Sequence, residues 1–345
     1  MAPEPLTAEE VSGGDPSLGD RLAAWLSVTE GTTVEVRGLE AVSAGARRFN
    51  ALFDAVTATG TRRLAITMIP SAAIQLLDVR GEADVRTAAE DAGVPVPHVH
   101  HVCTHDEVLG GPFFISTAVE GETVPRRVLR LVHERGIGDQ VAGELGVAMA
   151  RLHTVGDDAA PAVLPRPALG GPIESALVGL DELFGVLLTP SPVFALGMRW
   201  LERHAPPEPA RTTIVHSDIR TGNIIVGPDG LRAVLDWETA RVGDPMEDLA
   251  WPCGRMWRFR EDALTVGGLA GVDVLRDAYV GAGGSWDDDR FRWWRVLGTV
   301  RWGIGLAGQA RAHLDGSFRS IVMAASGRRV SELEYDTLLL LRPHP

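Results

Sequence analysis

The chain of 345 residues contains no lysine, and all 33 of its basic side chains are arginines. Every role that requires a permanent cation therefore falls to arginine, whose planar guanidinium binds anions through paired N–H groups. Acidic side chains number 46, which gives a formal net charge of −13. A surface of that sign would repel a duplex, so the composition argues against a general nucleic-acid-binding protein.

Cysteine is scarce, and long apolar runs are absent. Only Cys103 and Cys253 occur, so a disulfide framework is not supported and a reducing cytoplasm is expected. No apolar run reaches the roughly 18 to 20 residues that a membrane helix needs. Residues 1–5 show no basic segment followed by an apolar one, so we expect no signal peptide. The composition predicts a cytoplasmic globular protein with no membrane partner.

The spacing of apolar residues predicts a first lobe that is mainly sheet. Residues 1–18 are rich in Pro, Gly, Ser and acids and are expected to form a flexible lead-in. Residues 19–119 contain helical patterns at 20–28 and 81–92, and several extended runs separated by turns. These runs are residues 32–42, 48–57, 63–69, 99–103 and 112–119.

The second lobe, residues 120–345, is predicted to be mainly helical, with short strands between residues 213 and 238. The predicted helices include 138–153, 173–188, 193–204, 245–259, 273–282, 288–313 and 332–341. The whole pattern predicts an α+β, two-lobed fold in which a small antiparallel-sheet lobe precedes a larger helical lobe. We expect the chemistry to lie between the two lobes.

The most informative segment contains two aspartates and an asparagine. Asp218 is followed five positions later by Asn223, and Asp236 follows a hairpin whose turn is residues 227–230. That hairpin would bring Asn223 and Asp236 side by side. Each residue alone would be an ordinary cap or turn residue. The combined spacing is typical of kinase-type phosphoryl transfer, with Asp218 as the catalytic base and Asn223 and Asp236 as Mg²⁺ ligands.

Three nearby polar residues are predicted to support this segment. His216 precedes Asp218 by two residues and is expected to hydrogen-bond the loop backbone. Asp248 lies in the first turn of a helix that begins near Pro245, from where it could brace the catalytic loop. Arg220 lies inside the loop, where it would either contact a phosphate or remain solvated.

The segment resembles the aminoglycoside phosphotransferase and choline-kinase-like family, a branch of the protein-kinase-like fold. The family pattern is His-Gly-Asp, then Asn, then Ile/Leu-Asp-Trp/Phe, then Gly-Asp-Pro with a further Asp. The matching positions here are residues 216–218, Asn223, residues 235–237, residues 243–245 and Asp248. The likeness extends from about residue 34 to residue 335 and implies a Mg²⁺-dependent phosphotransferase that uses ATP, with GTP not excluded. The implied acceptor is a hydroxyl group of a small molecule.

Other motifs resemble one subgroup of that family. Glu238 and the segments at 257–259, 267–268 and 293–303 are similar to bacterial stand-alone kinase-like proteins related to acyl-CoA dehydrogenases. In animals, relatives of this subgroup are fused to acyl-CoA dehydrogenases, and their kinase part is understood to phosphorylate 4-hydroxyacyl-CoA. The resemblance therefore implies a hydroxyl on an acyl group or on another metabolite as the acceptor.

The resemblance also implies where the nucleotide would bind. The loop that covers the phosphates would be residues 42–48, where Ser43 and Gly45 remain but Ala44 replaces a glycine. Backbone groups near Thr117 and Ala118 would hold the adenine, at the end of the last strand of the first lobe.

Two departures from the family bear on activity. Ser217 stands where the family has glycine, and it would be strained if its φ angle were positive. Glu82 matches the helix carboxylate that pairs with a strand cation, yet Thr67 occupies the position of that cation. Loss of a phosphate-bound cation would remove several kcal/mol of transition-state stabilisation, roughly the scale of other electrostatic clamps. The candidate arginines to replace it are Arg47, Arg48, Arg62 and Arg63.

Two other functions therefore stay open at this point. A catalytically impaired kinase-like protein would bind a nucleotide or metabolite for regulation. A metal-dependent hydrolase built on Asp218 and Asp236 would release phosphate without an acceptor. The histidine-rich segment at 98–105 places His101, Cys103 and His105 on one strand face, but a strand with outward polar rings is the preferred interpretation over a metal site.

Overall fold

The computed structural model describes residues 17–45, 48–69, 76–168, 170–187 and 189–342. Most of the predicted lead-in, residues 1–18, lies outside the described residues. The first helix, α1, spans Leu18–Glu30. Ser17 caps it by accepting from the N–H of Asp20, whose carboxylate accepts from the N–H of Ser17 in return. Gly31, with φ at 66°, ends the helix in the left-handed conformation.

The first lobe is built on a five-stranded antiparallel sheet with strand order β1-β2-β3-β5-β4. This confirms the predicted antiparallel lobe. Alternate residues such as Phe53, Ile66 and Ile115 are buried in one cluster with the apolar face of α1. The strands are β1 Glu35–Gly45, β2 Arg48–Thr57, β3 Gly60–Met68, β4 Val99–Cys103 and β5 Phe113–Thr117.

Helix α2, Val79–Asp91, lies against β4 and β5. Asp78 begins it by accepting the N–H of Gly81 at 2.7 Å. Two charged residues of this helix, Glu82 and Arg86, are buried. Burial of charge is costly unless it is paired, so this helix already marks a place where ion pairs are needed. A short helix, α3, spans Asp106–Leu109.

The connector after β5 is attached to the second lobe by backbone hydrogen bonds. The N–H of Glu122 donates to the carbonyl of Val226 at 2.9 Å, and the N–H of Val226 donates back at 3.0 Å. Gly121 precedes this bridge with φ at 150°, and a Cβ there would lie 2.5 Å from Ile225. Only glycine fits this close approach of the two chains.

The second lobe surrounds a single large apolar cluster, with α10 through its centre. Its helices are α4 Pro125–Arg135, α5 Gly138–Leu152, α6 Pro172–Phe184, α7 Pro192–Arg203, α8 Pro245–Ala250, α9 Val272–Gly281, α10 Asp288–Leu314, α11 Ile321–Ser326 and α12 Val330–Leu341. Among the described residues, no helix combines the length and apolarity needed to cross a bilayer.

Two small sheets carry the predicted motifs. Strand β6, Thr213–Val215, pairs with β9, Arg241–Gly243, and β7, Ile224–Gly227, pairs with β8, Gly230–Val234. The second pair confirms the predicted hairpin with its turn between residues 227 and 230.

The helix predicted at 245–259 is wrong in its length. Helix α8 ends at Ala250, and two 3₁₀ turns, Trp251–Cys253 and Arg255–Trp257, replace the rest. Pro252 has no N–H to continue the α-helical ladder, and Gly254 has extended backbone angles, φ −62° and ψ 137°. The apolar spacing continues through this segment because its residues are buried, so periodicity alone did not reveal the break.

Candidate active site

Asp218 lies in the loop between β6 and β7, and both of its carboxylate oxygens accept hydrogen bonds. The indole N–H of Trp251 donates to Oδ1 at 2.8 Å. The amide of Asn223 donates to Oδ2 at 2.7 Å and to the Asp218 carbonyl at 2.9 Å. The guanidinium of Arg220 donates to Oδ2 at 3.2 Å. Since every contact supplies a donor, this arrangement holds the carboxylate in one orientation.

Asp248 on α8 holds the loop that contains Asp218 through hydrogen bonds to its backbone. Its carboxylate accepts the backbone N–H of His216 at 2.7 Å and that of Ser217 at 2.6 Å, and it contacts His153 at 3.2 Å. Burial by itself would raise the pKa of Asp248, but the hydrogen bond and charge of His153 and the backbone N–H of His216 hold that pKa below its ordinary value. The predicted bracing contact of Asp248 is therefore present in the structure.

Ser217 has φ at 65°, in the left-handed region. This backbone angle costs a non-glycine residue about 1 kcal/mol. Its hydroxyl donates to the carbonyl of Thr239 at 2.7 Å, and the hydroxyl of Thr239 donates to the carbonyl of His216 at 3.1 Å. The strain anticipated for a serine at this position is present, and the side-chain hydrogen bond offsets part of it.

His216 links the catalytic loop to the strand that leads to Asp236. Its Nε2 donates to the carbonyl of Leu235 at 2.8 Å, and its Nδ1 accepts the N–H of Asp218 at 3.2 Å. With Nδ1 accepting, the ring donates through Nε2. The ring also packs against Trp237, with ring centroids 4.5 Å apart. The predicted backbone-binding role of His216 agrees with these contacts.

The hairpin brings Asn223 next to the segment that carries Asp236. The N–H of Leu235 donates to the carbonyl of Asn223 at 2.8 Å, and Asp236 follows with φ at 64°. Because Nδ2 of Asn223 donates to Asp218, its Oδ1 remains as the atom that would bind a cation. An amide oxygen and a carboxylate are hard donors that suit Mg²⁺, which takes its remaining ligands from phosphates and water. In the described part of the chain, no group of three or more His, Cys, Asp and Glu side chains could hold a metal by itself.

Arg48 lies among three carboxylates at the edge of this site. Its Nη1 donates to Glu82 at 2.7 Å and is 3.9 Å from Asp236, and its Nη2 is 2.8 Å from Glu238. The Arg48 side chain is only 13% exposed and that of Glu82 only 2%. Burial acts to lower the pKa of Arg48, but Glu82, Glu238 and Asp236 outweigh it and raise that pKa. Glu82 thus has a cation, and the cation comes from β2 instead of β3.

Thr67, at the predicted cation position, makes a different contact. Its hydroxyl donates to Oδ1 of Asn50 at 2.8 Å, and the two residues are directly opposite each other on β2 and β3. Of the other arginines proposed to replace the cation, Arg62 pairs with Glu30 and Arg63 with Asp54. Arg47 lies outside the described residues.

The other residues predicted to bind the nucleotide lie in β1 and at the end of β5 or just after it. The backbones of Ser43 and Gly45 belong to β1, opposite Asn50 and Arg48, while the turn at 46–47 lies outside the described residues. The N–H of Thr117 donates to the carbonyl of His98 at 2.9 Å, and the N–H of Ala118 donates to that of Arg63 at 3.2 Å. In this arrangement those two N–H groups are not available to adenine, so the predicted adenine contact would need other groups of the connector.

The histidine-rich segment does not form a metal site in the described residues. His98 contacts Glu90, His100 contacts the hydroxyl of Thr117, and His101 contacts Glu30. The three rings therefore have separate hydrogen-bond partners.

An aromatic wall beside Asp218 was not assigned to the site from the sequence. Trp251, Trp257 and Trp302 lie with ring centroids 5.1 to 6.0 Å apart. The guanidinium of Arg220 lies 5.3 Å from the ring centroid of Trp257, and that of Arg301 lies 5.2 Å from that of Trp251. The sequence did not reveal the contact of Trp251 with Asp218, because Trp251 was predicted to lie within the continuous helix 245–259.

Arg241 and Arg301 make the cationic character of this wall stronger. Both donate to the same oxygen, Oε1 of the buried Glu247. One buried carboxylate therefore accepts hydrogen bonds from two guanidinium groups.

Comparison with known proteins identifies the family. The model of the Phosphotransferase enzyme family matches residues 46–294, and the chain belongs to that family. The chain is 26% identical over 285 residues to acyl-CoA dehydrogenase family member 10 of Mus musculus. That alignment covers 78% of this chain but 26% of the mouse protein, so the chain spans about a quarter of that relative's length.

Solved structures share the fold. The crystal structure of a provisionally assigned aminoglycoside phosphotransferase from Ralstonia eutropha superimposes with a TM-score of 0.71 at 23% identity. The superposition covers 93% of this chain and 97% of that one. A thermostable mutant of aminoglycoside phosphotransferase APH(4)-Ia, in complex with AMP-PNP and hygromycin B, gives a TM-score of 0.60 at 18% identity. That comparison covers 91% of this chain and 98% of the other. The fold is that of kinase-like phosphotransferases.

Proposed function

We propose that this protein is a Mg²⁺-dependent phosphotransferase that moves the γ-phosphoryl group of ATP to a hydroxyl group of a small molecule. The observation that carries the proposal is the fixed carboxylate of Asp218, which shares a hydrogen bond with Asn223 beside the segment of Asp236. Family membership supports the reaction class. The AMP-PNP bound by the APH(4)-Ia structure supports an adenine nucleotide, with GTP as the alternative to test.

In this mechanism Asp218 orients the acceptor hydroxyl and takes its proton. The hydroxyl oxygen forms a bond to the γ-phosphorus, the bond from that phosphorus to the bridging oxygen of ADP breaks, and the proton passes to Asp218. Mg²⁺, when bound by Asn223 and Asp236, would neutralise the phosphate charge. Arg220, Trp251 and Asn223 hold Asp218 in place, so little reorganisation is required during transfer.

For the acceptor, we propose an anionic metabolite such as a hydroxyacyl-CoA. The matched part of the mouse relative belongs to a protein named for acyl-CoA dehydrogenase, which connects this chain with acyl-CoA chemistry. The charge beside Asp218 supports the same class, because Arg220, Arg241 and Arg301 would attract an anion and repel a polycationic aminoglycoside.

The second candidate is a kinase-like protein that binds a nucleotide without efficient transfer. Thr67 at the cation position and the strained Ser217 favour it. A phosphohydrolase would differ from both by releasing phosphate with no acceptor.

The test combines nucleotide binding with turnover. Titration calorimetry with ATP and with GTP, each with Mg²⁺ or EDTA, measures binding, and a panel of hydroxylated metabolites then measures ADP formation. Asp218→Asn should lower turnover at least about 100-fold, the usual scale of general-base catalysis, with nucleotide affinity retained. Equal turnover in that variant would remove the proposed role of Asp218, and ADP formation independent of every acceptor would favour the hydrolase.

A further inference from the structure

We infer that Arg48 on β2 is the phosphate-binding cation of this protein, and that it performs from the second strand the role that Thr67 cannot perform from the third. This inference rests on the proposed function, since it concerns the same nucleotide site. It assigns a positioning and binding role to a residue of the strand that follows the phosphate-covering loop.

Strand register explains how the cation can change strands. Asn50 lies directly opposite Thr67, so Arg48 lies two residues further along β2 on the same face as Asn50. Thr67 and Asn50 are hydrogen-bonded to each other, and Met68, the next residue of β3, is buried in the core. The face that would carry a cation at Thr67 therefore carries one from the neighbouring strand.

The carboxylates around Arg48 are those expected of the nucleotide site. Glu82 on α2 accepts a hydrogen bond from Nη1 of Arg48. Asp236, the proposed metal ligand, lies 3.9 Å from the same nitrogen. Of the arginines that the structure describes on the first three strands, Arg37, Arg62 and Arg63 pair with Glu35, Glu30 and Asp54 instead. Arg48 is thus the strand arginine that joins α2 to the metal-binding end of the hairpin.

The guanidinium also keeps hydrogen-bonding capacity for a ligand. Its Nη2 lies 2.8 Å from Glu238, yet it is buried and makes no aligned hydrogen bond. A buried donor without an aligned acceptor is costly, and an incoming phosphate oxygen would relieve that cost. Three carboxylates surround this one cation, so the site keeps an excess of negative charge that suits a nucleotide arriving with a divalent metal.

The test moves the charge between strands. Arg48→Met should weaken Mg²⁺–ATP binding about 10- to 100-fold by calorimetry, the usual value of a charged hydrogen-bonding partner. Adenosine, which has no phosphates, should bind as it does to the unaltered protein. The double variant Arg48→Met with Thr67→Arg returns a cation to β3 and should recover at least part of the ATP affinity.

Two further variants control for loss of folding and for the removal of an arginine as such. Arg48→Met leaves Glu82 buried without a cation, so Arg48→Met with Glu82→Gln is measured as well, with circular dichroism and thermal melting to check folding. The matched control is Arg63→Met, which removes an arginine from β3 that pairs with Asp54. Its ATP affinity should be unchanged.

The outcomes separate this inference from the proposed function. Absence of Mg²⁺–ATP binding by the unaltered protein would overturn the proposed function. Normal binding by the unaltered protein, together with equal ATP affinity in folded Arg48→Met and its Glu82→Gln double variant, would overturn the role of Arg48 alone. Equal loss of adenosine and ATP binding would also contradict it, because a phosphate contact acts only on ATP.

Discussion

At the scale of single residues, Ser217 shows how a side chain can offset a strained backbone. Its φ of 65° favours glycine, while its hydroxyl contributes a hydrogen bond to Thr239. Ser217→Ala keeps the strain and loses the hydrogen bond, so we expect it to lower the free energy of unfolding by about 1 kcal/mol. Ser217→Gly loses the same bond but also removes the strain, so it should be more stable than the alanine variant by about 1 kcal/mol. Urea unfolding measures both, and the opposite order of stability would contradict this account.

The cationic residues beside Asp218 give a second prediction at this scale. Arg301→Gln should raise the KM for an anionic acceptor about 10-fold with little change in the KM for ATP, because it removes one positive charge beside the aromatic wall. Added salt should reduce the difference, since screening weakens the attraction.

The control for this experiment is Arg276→Gln. Arg276 pairs with Asp273 and Asp277 on α9, so the variant makes the same charge change away from the aromatic wall. If Arg301→Gln leaves the acceptor KM unchanged, or if aminoglycosides are better acceptors than anionic metabolites, the proposed acceptor class is wrong.

At the scale of elements, Asp248 connects α8 to the catalytic loop, and its lowered pKa makes that connection sensitive to acid. The pKa of the native carboxyl lies below the ordinary value of 3.8. Its contribution to stability is therefore complete above that value and is lost as the pH falls from it toward the native pKa. Asp248→Asn should lower the free energy of unfolding by about 3 kcal/mol at pH 7, because two hydrogen bonds to a charged acceptor weaken.

Urea unfolding as a function of pH tests this prediction. The asparagine variant should also show a shallower fall in stability below the ordinary carboxyl pKa than the unaltered protein does. Asp181→Asn is the control, since Asp181 is an exposed residue of α6 and the variant makes the same chemical change away from the loop of Asp218. Equal acid sensitivity in the Asp248→Asn variant and the unaltered protein would contradict the linkage.

The sequence was sufficient for the elements that depend on local pattern. Alternation predicted the strands of the first lobe, and the Gly-Pro-Asp-Gly turn predicted the hairpin that brings Asn223 beside the segment of Asp236. The end of α8 was missed because buried residues continue past Pro252. The cation beside Glu82 could be narrowed to several arginines but not chosen, because the choice depends on the register of β2 against β3. Trp251 was missed for a similar reason, since its contact with Asp218 requires the chain to leave the helical path.

At the scale of the whole molecule, the two lobes meet through contacts made by short segments. The N–H of Val234 donates to the carbonyl of Pro95 at 2.8 Å, and Arg48 reaches from the first lobe to Glu238 of the second. The proposed nucleotide site would therefore be shared by both lobes, with Arg48 on β2, Glu82 on α2 and the proposed metal ligands at the two ends of the hairpin. A change in the separation of the lobes would alter the Arg48 contacts before those of Asp218, which lie entirely within the second lobe.

The connector bridge has a consequence for motion. Because Glu122 and Val226 exchange two backbone hydrogen bonds, the chain from Glu122 onward must travel with the hairpin that follows the catalytic loop. Bending between the halves would then have to occur before Gly121, and it would also strain the hydrogen bond from Val234 to Pro95. The glycine that permits the close approach therefore fixes where the connector joins the second lobe, and the residues around Asp218 lie on the same side of that junction as the hairpin.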